Sequence, residues 1–219
     1  MITTEKRFEA DIESFFLSPA GGYTKGADTY DAKQGLYVNT LIDFVQRTQP
    51  KEWARFENAN QVDPVRKFCT AFNTACETEG LLSVLRHGFK HRGLRFRVCY
   101  FKPESENSSL AAERYEANIL GCTRQFRYST ANTNTIDMVL SVNGIPVVAL
   151  ELKNQLTGQD YHCAIKQFKD DRSSKEFAFR LNHRFLVYFA VDLYEAWMTT
   201  QLADGNTHFL PFNQGSNGA

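Results

Sequence analysis

The stretch from Thr135 to Lys153 leaves the chain little choice of local fold: Thr-Ile-Asp-Met-Val-Leu-Ser-Val, then Asn-Gly, then Ile-Pro-Val-Val-Ala-Leu-Glu-Leu-Lys. Two apolar, β-branched runs meet at Asn143-Gly144, a pair suited to the positive φ angles of a tight hairpin. Three charges, Asp137, Glu151 and Lys153, are set into this oily ribbon. The period-2 rule puts Glu151 and Lys153 on one face, roughly 6.5–7 Å apart along the strand. Unpaired, such groups are costly to bury, so they either pair with each other or hold a cation and a reacting anion.

Register decides whether Asp137 joins them. A plain two-residue loop sets Val142 across from Ile145 and Asp137 across from Leu150, with Asp137 facing away from Glu151 and Lys153. One extra loop residue, or one bulge, sets Asp137 across from Glu151 and gathers all three charges. Pro146 has no N–H to give a regular ladder near the turn. The expectation is therefore an odd-length loop or a bulge between Asp137 and Glu151. So gathered, the two carboxylates are hard oxygen ligands of the kind that hold Mg2+ while leaving it several waters. The metal lowers the pKa of a bound water, and Lys153 orients the nucleophile or stabilises the charged transition state. The set suits phosphodiester hydrolysis. Taken alone, Glu-x-Lys is also what a solvated, salt-bridged strand face looks like.

Around this ribbon the periodicity predicts an α/β chain with a mixed sheet. Thr3 or Thr4 caps a first helix, about residues 4–17, with an apolar stripe of Phe8, Ile12, Phe15 and Phe16. Glu9 lies at the edge of that stripe and reads either as an additional acidic ligand or as a surface residue. A helical insertion spans about residues 33–88: Val38, Leu41, Ile42 and Val45 form one stripe, Pro50 opens a short piece, and Asp63-Pro64 starts a long helix ended by Gly80. Leu94, Phe96, Val98 and Tyr100 alternate as a half-buried strand. Ser108 or Ser109 caps a helix through Tyr115 to Leu120, before a strand with Phe126 and Tyr128. After the hairpin come a helix on Tyr161, Ala164, Ile165 and Phe168, a buried strand from Phe185 to Val191, a strand from Tyr194 to Thr200, and a Gly- and Asn-rich tail.

At 219 residues, 42% hydrophobic and with 18 Phe, the chain is read as one domain, 1–219, with its core at about 107–200. Its 25 acidic and 25 basic residues balance, which argues against a basic coat but not against local patches. Arg86, His87, Lys90, His91, Arg92, Arg95 and Arg97 form such a patch and read either as DNA-backbone contacts or as a solvated face. His87 and His91 stand four apart, but no other clustered Cys or His supports a zinc site. The five cysteines are scattered, odd in number and lack Cys-x-x-Cys spacing, as in a reduced cytoplasmic protein. No apolar run is long enough for a membrane span, no signal peptide is evident, and no phosphate-loop motif is present.

Longer stretches carry a resemblance. Arg114-Tyr115-Glu116-Ala117-Asn118, the hairpin from Thr135 to Pro146, Glu151-Leu152-Lys153-Asn154, Leu156-Thr157-Gly158, Ala164-Ile165-x-Gln167 and Asp171-Arg172 resemble the nuclease domain of type I restriction enzyme R subunits. Arg86-His87-Gly88, Tyr100-Phe101-Lys102-Pro103, Met198-Thr199-Thr200 and Phe209-Leu210-Pro211-Phe212-Asn213 extend it over most of the chain. The resemblance implies a PD-(D/E)xK restriction-endonuclease-like fold, a central mixed β-sheet flanked by helices. It also implies that Asp137 and Glu151 hold Mg2+, that Lys153 is the catalytic lysine and that Gln167 is the Gln of the family's Gln-x-x-x-Tyr element. Asp171 stands where the Tyr is expected. Lys169 and Arg172 nearby read either as phosphate contacts or as a solvated helix face. In the family the R subunit continues into ATP-driven translocase domains and works on double-stranded DNA with methyltransferase and specificity subunits. By that likeness this chain is an N-terminal piece that does not itself use ATP and is weakly active or inactive alone. The alternative is a non-catalytic DNA-clamping or docking module.

Overall fold

The computed structural model describes residues 5–26, 28–103 and 109–213. In chain order the helices are α1 (Glu5–Phe16), α2 (Val38–Thr48), α3 (Pro50–Ala59), α4 (Pro64–Glu79), α5 (Leu81–His87), α6 (Ser109–Glu116) and α7 (Tyr161–Asp170). The strands are β1 (Thr24–Lys25), β2 (Tyr30–Asp31), β3 (Leu36–Tyr37), β4 (Phe89–His91), β5 (Leu94–Phe96), β6 (Leu120–Arg127), β7 (Thr135–Val142), β8 (Ile145–Leu152), β9 (Val187–Val191), β10 (Ala196–Thr199) and β11 (Leu210–Asn213). Seven of them form one mixed sheet in the order β1-β6-β7-β8-β9-β10-β11. The strands β6, β7 and β8 run antiparallel in sequence, and β9 returns parallel to β8 after the α7 crossover. This is a mixed α/β restriction-endonuclease-like architecture, a central sheet with helices on both faces.

Alternation along β8 sorts the two faces. Leu150 and Leu152 join Cys122, Met138 and Leu140 in a core covered by Phe8, Ile12 and Phe16 of α1. Ala149 joins Phe126, Val139, Tyr188 and Phe168 of α7 on the other side. Helices α2 to α5 and the β4–β5 hairpin make a third core at the turn end of β7–β8, where Trp53, Phe56, Phe68, Phe72, Phe89 and Phe96 pack largely edge to face and reach Ile145. Burying each such ring contributes about 1.5–3 kcal/mol before entropy is charged.

Several elements differ from their sequence expectation. Phe15 is 61% exposed, so the α1 stripe is Phe8, Ile12 and Phe16. The proposed Thr3 and Thr4 caps and Ser108 lie outside the described residues, and Ser109 is the first residue of α6. The stretch opening the insertion is the small β2–β3 hairpin rather than helix. The strand at Leu94 ends at Phe96, because Arg97 N donates to Gln49 Oε1 at 2.7 Å instead of continuing the ladder. Part of the Gly- and Asn-rich tail is β11, paired antiparallel with β10. His87 closes α5 while His91 belongs to β4 and meets the Phe56 ring, so the two never share a helix face.

Candidate active site

The hairpin turn is a tight Asn143-Gly144 pair, both with positive φ (50° and 79°). Gly144 is required twice over, since a Cβ there would stand 2.4 Å from Tyr37 O. Asn143 is fully buried and ties the turn to its surroundings: Oδ1 accepts from Ile119 N at 2.7 Å, and Nδ2 donates to Val98 O at 2.8 Å.

Val142 pairs with Ile145 and Ser141 with Pro146, but Leu140 then pairs with Val148. Val147 is the extra residue, and its carbonyl accepts instead from Leu186 N at 2.8 Å. This bulge shifts the register by one. Met138 lies across from Leu150, and the next step sets Asp137 against Glu151. The anomaly demanded by the positions of the three charges is present, and it sits at Pro146-Val147.

The carboxyls lie in a nearly dry setting, Asp137 7% exposed and Glu151 0%. Asp137 Oδ2 accepts from Leu152 N at 2.8 Å and lies 3.9 Å from Lys153 Nζ. Glu151 Oε1 is gripped by Arg172, from Nε at 3.0 Å and Nη2 at 2.7 Å. Its other oxygen, Oε2, is buried with no donor among the described residues. Burial, then the neighbouring Asp137 charge, push Glu151 well above the ordinary carboxylate range against the pull of Arg172. Burial raises Asp137 too, less because the Leu152 amide and Lys153 favour its anion. The acid pair is thus only half compensated: Arg172 grips one Glu151 oxygen and Lys153 stands near Asp137, while Glu151 Oε2 meets no donor among the described residues.

Lys153 follows β8, its N–H donating to Val191 O at 2.8 Å. Burial opposes its ammonium, but the 2.8 Å hydrogen bond to Glu5 Oε1 and the nearby acids outweigh this and hold Lys153 above its usual range. Lys153 and Gln167 share the wall of a cleft of about 480 Å³ with Glu5, Cys163 and Asp171. A roomier cleft of about 760 Å³ lies beside Tyr30 and Phe126, but its wall carries no buried carboxylate pair.

Glu9 is neither a surface residue nor an open ligand: it is 3% exposed, with its oxygens taken by Arg124 at 3.0 Å and Gln125 at 3.1 Å. Arg172 is likewise neither a solvated residue nor a free phosphate contact. It is buried, donating to Thr135 O at 2.7 Å and lying over the Tyr128 ring, so its geometry serves Glu151. The sequence signal was faint, an Arg just past a helix end. Glu5 was missed altogether; its only sequence mark was an acid in the first helical turn.

Burial pushes the thiols of Cys69, Cys99 and Cys122 up to about 11 and that of Cys76 to about 12, whereas Cys163 is exposed on the cleft wall. N-ethylmaleimide should therefore modify one cysteine of the folded chain, and Cys163→Ser should abolish the labelling seen by intact-mass spectrometry. Labelling of two or more sites in the native protein would contradict this packing.

No helix among the described residues is long and apolar enough to cross a membrane. No group of three or more His, Cys, Asp or Glu side chains is gathered for a metal among them, so the site offers the carboxylate pair alone. No curated protein matches the sequence. The family described as type I restriction enzyme R protein N terminus matches residues 51–207, most of the chain and all of the residues from Asp137 to Arg172. The chain belongs to the family of type I restriction enzyme R protein N termini.

Proposed function

We propose that this domain is the Mg2+-dependent endonuclease module of a type I restriction enzyme, hydrolysing phosphodiester bonds in double-stranded DNA. One observation carries the reading: among the described residues, Glu151 Oε2 is buried without a donor in an acid pair whose other member, Asp137, lies 3.9 Å from Lys153. Asp137 and Glu151 would hold the metal, and few protein oxygens suit Mg2+, which keeps most of its waters. When bound, it supplies an acidified water and neutralises charge on a phosphoryl oxygen. Arg172 occupies Oε1 and so presents Glu151 through Oε2 alone. The Lys153 ammonium, kept protonated by Glu5 and Asp137, is placed to donate to the charge that develops at phosphorus. Gln167, on the same cleft wall, offers an amide to the substrate or the attacking water.

Double-stranded DNA would reach this cleft through translocation by ATP-using domains of the R protein, with methyltransferase and specificity subunits as partners and the cytoplasm as the setting. A docking or DNA-clamping module is the second reading. It is favoured by the Glu5–Lys153 pair at 2.8 Å, which occupies the lysine's charge.

The pH dependence tests the metal site. Raised carboxyl values mean that the folded state binds protons more tightly than the unfolded chain. These groups therefore contribute stability below the ordinary carboxylate range, and it is lost as pH rises through their raised values. Mg2+ needs the deprotonated pair and should restore stability only there. The rise in melting temperature with Mg2+ should be small in the ordinary carboxylate range, grow as pH rises through the raised carboxyl values, and vanish in Asp137→Asn. A Mg2+ response indifferent to pH and to that substitution would sink the assignment.

A further inference from the structure

At the turn end of the β7–β8 hairpin, away from Asp137, a cleft of about 570 Å³ is walled by Arg86, Arg95, Arg97 and Arg114. Among the described residues Glu52 is the one acidic residue on that wall, in a chain whose charges otherwise balance. Arg86, Arg95 and Arg114 are exposed, and Arg97 is half-buried. None of the four takes part in an ion pair among the described residues. Their contacts are with neutral groups: Arg97 Nη1 donates to Arg86 O at 2.6 Å, Arg95 Nη1 donates to His87 O at 3.3 Å, and Arg114 lies 5.6 Å over the Tyr100 ring. Such contacts brace the guanidiniums without neutralising them. Like charges crowded on one concave wall repel one another and favour an anionic occupant.

The wall is also tied to the rest of the fold. Gln49 Nε2 donates to Arg97 O and Gln49 Oε1 accepts from Arg97 N, both at 2.7 Å. Asn118 brackets the backbone of Tyr100 and accepts from Asn143 at 2.9 Å, which couples the cleft to the hairpin turn. From that turn to Asp137 runs most of β7, roughly 20 Å at ~3.3 Å per residue. Duplex DNA covers that distance in about six base pairs at ~3.4 Å each.

We infer that this arginine groove binds the phosphate backbone of duplex DNA flanking the segment presented to Asp137 and Glu151, so that the substrate is gripped at two places. The inference rests on DNA being the substrate, as proposed above. A duplex, with a phosphate on each strand every ~3.4 Å, can present charge to the groove and a scissile bond to the carboxylates at once, as the proposed reaction requires.

The test is equilibrium binding of a fluorescent duplex of about 20 base pairs to the whole chain without Mg2+, followed by anisotropy across a salt series. The triple variant Arg86→Ala, Arg95→Ala, Arg114→Ala leaves Arg97 in place, because Arg97 braces Arg86 and Gln49. Losing three phosphate contacts should reduce the slope of log affinity against log salt by roughly 2.7, at ~0.9 per contact, and weaken binding at least about tenfold. A control triple at exposed lysines elsewhere (Lys25→Ala, Lys33→Ala, Lys175→Ala) should change the slope by less than about one. Equal loss in both triples, or no loss in the arginine triple, overturns the groove. Displacement of the duplex from the wild-type protein by polyglutamate at matched charge would overturn it in favour of an acidic protein partner. Asp137→Asn should keep the full slope, so failure of the metal site and failure of the groove are read separately.

Discussion

Lys153→Ala in the R protein of the assembled enzyme is expected to lower DNA cleavage by roughly 10²–10³-fold, the usual cost of removing one preorganised donor at a developing charge. Mg2+ binding at Asp137 and Glu151 should persist, since Asp137 retains the Leu152 amide and Glu151 retains Arg172. Lys153 is nearly buried, so its loss leaves Glu5 and Asp137 without their shared cation and costs some stability. Lys153→Met, which keeps the packing of the stem, should lose cleavage equally. Cleavage measured on a circular substrate and unchanged in both variants would leave the docking reading standing. A fall confined to the less stable variant would point to folding rather than chemistry.

Arg184→Met should destabilise the domain by more than about 3 kcal/mol, enough to lower the melting temperature by roughly 6–12 °C in a chain of this size. Arg184 is fully buried and, among the described residues, has no carboxylate partner. It donates to Gly35 O and Gln34 O, each at 2.6 Å, and also to His183 O and Asn73 Oδ1. Phe72 and Phe177 cover the guanidinium, each with its ring centre 5.2 Å away. One side chain thus satisfies acceptors from the β2–β3 hairpin, from α4 and from the segment before β9. A methionine fills much of the volume but leaves those acceptors unpaired in a dry core. Lysine should rescue little, because a single ammonium cannot span the fork. Equilibrium urea unfolding of the two variants reads this directly, and a loss below about 1 kcal/mol would mean the acceptors find other donors.

The same contrast between local and distant causes explains what was legible in the chain. Helix α4 was readable because Asp63, Pro64 and Gly80 carry their own boundary chemistry: the Asp63 side chain accepts from Arg66 N, and Gly80 takes a φ of 82°. The hairpin was readable for the same reason, down to the need for a bulge, since side-chain alternation and Pro146 constrain register without any knowledge of neighbours. Strand β11 and the β2–β3 pair were not, because such short strands are held by partners distant in sequence or by tight local bonds rather than by periodicity. Phe15 misled because spacing alone does not say which side of a stripe reaches the core.

The candidate site divides along the same line. Asp137, Glu151 and Lys153 announce themselves, because three charges in an apolar ribbon conflict with local burial wherever the strands go. What surrounds them could come only from the tertiary structure. Glu5 arrives from α1 and Arg172 from beyond α7, and Glu9 is withdrawn by Arg124 on β6. The sequence by itself determined the ribbon, its shifted register and the acid–lysine set, since these follow from residue alternation and turn chemistry within some twenty residues. Only the tertiary structure decided that one Glu151 oxygen is gripped and the other left bare, because hydrogen bonds to a buried carboxylate depend on which distant donors the packed sheet and helices bring within reach.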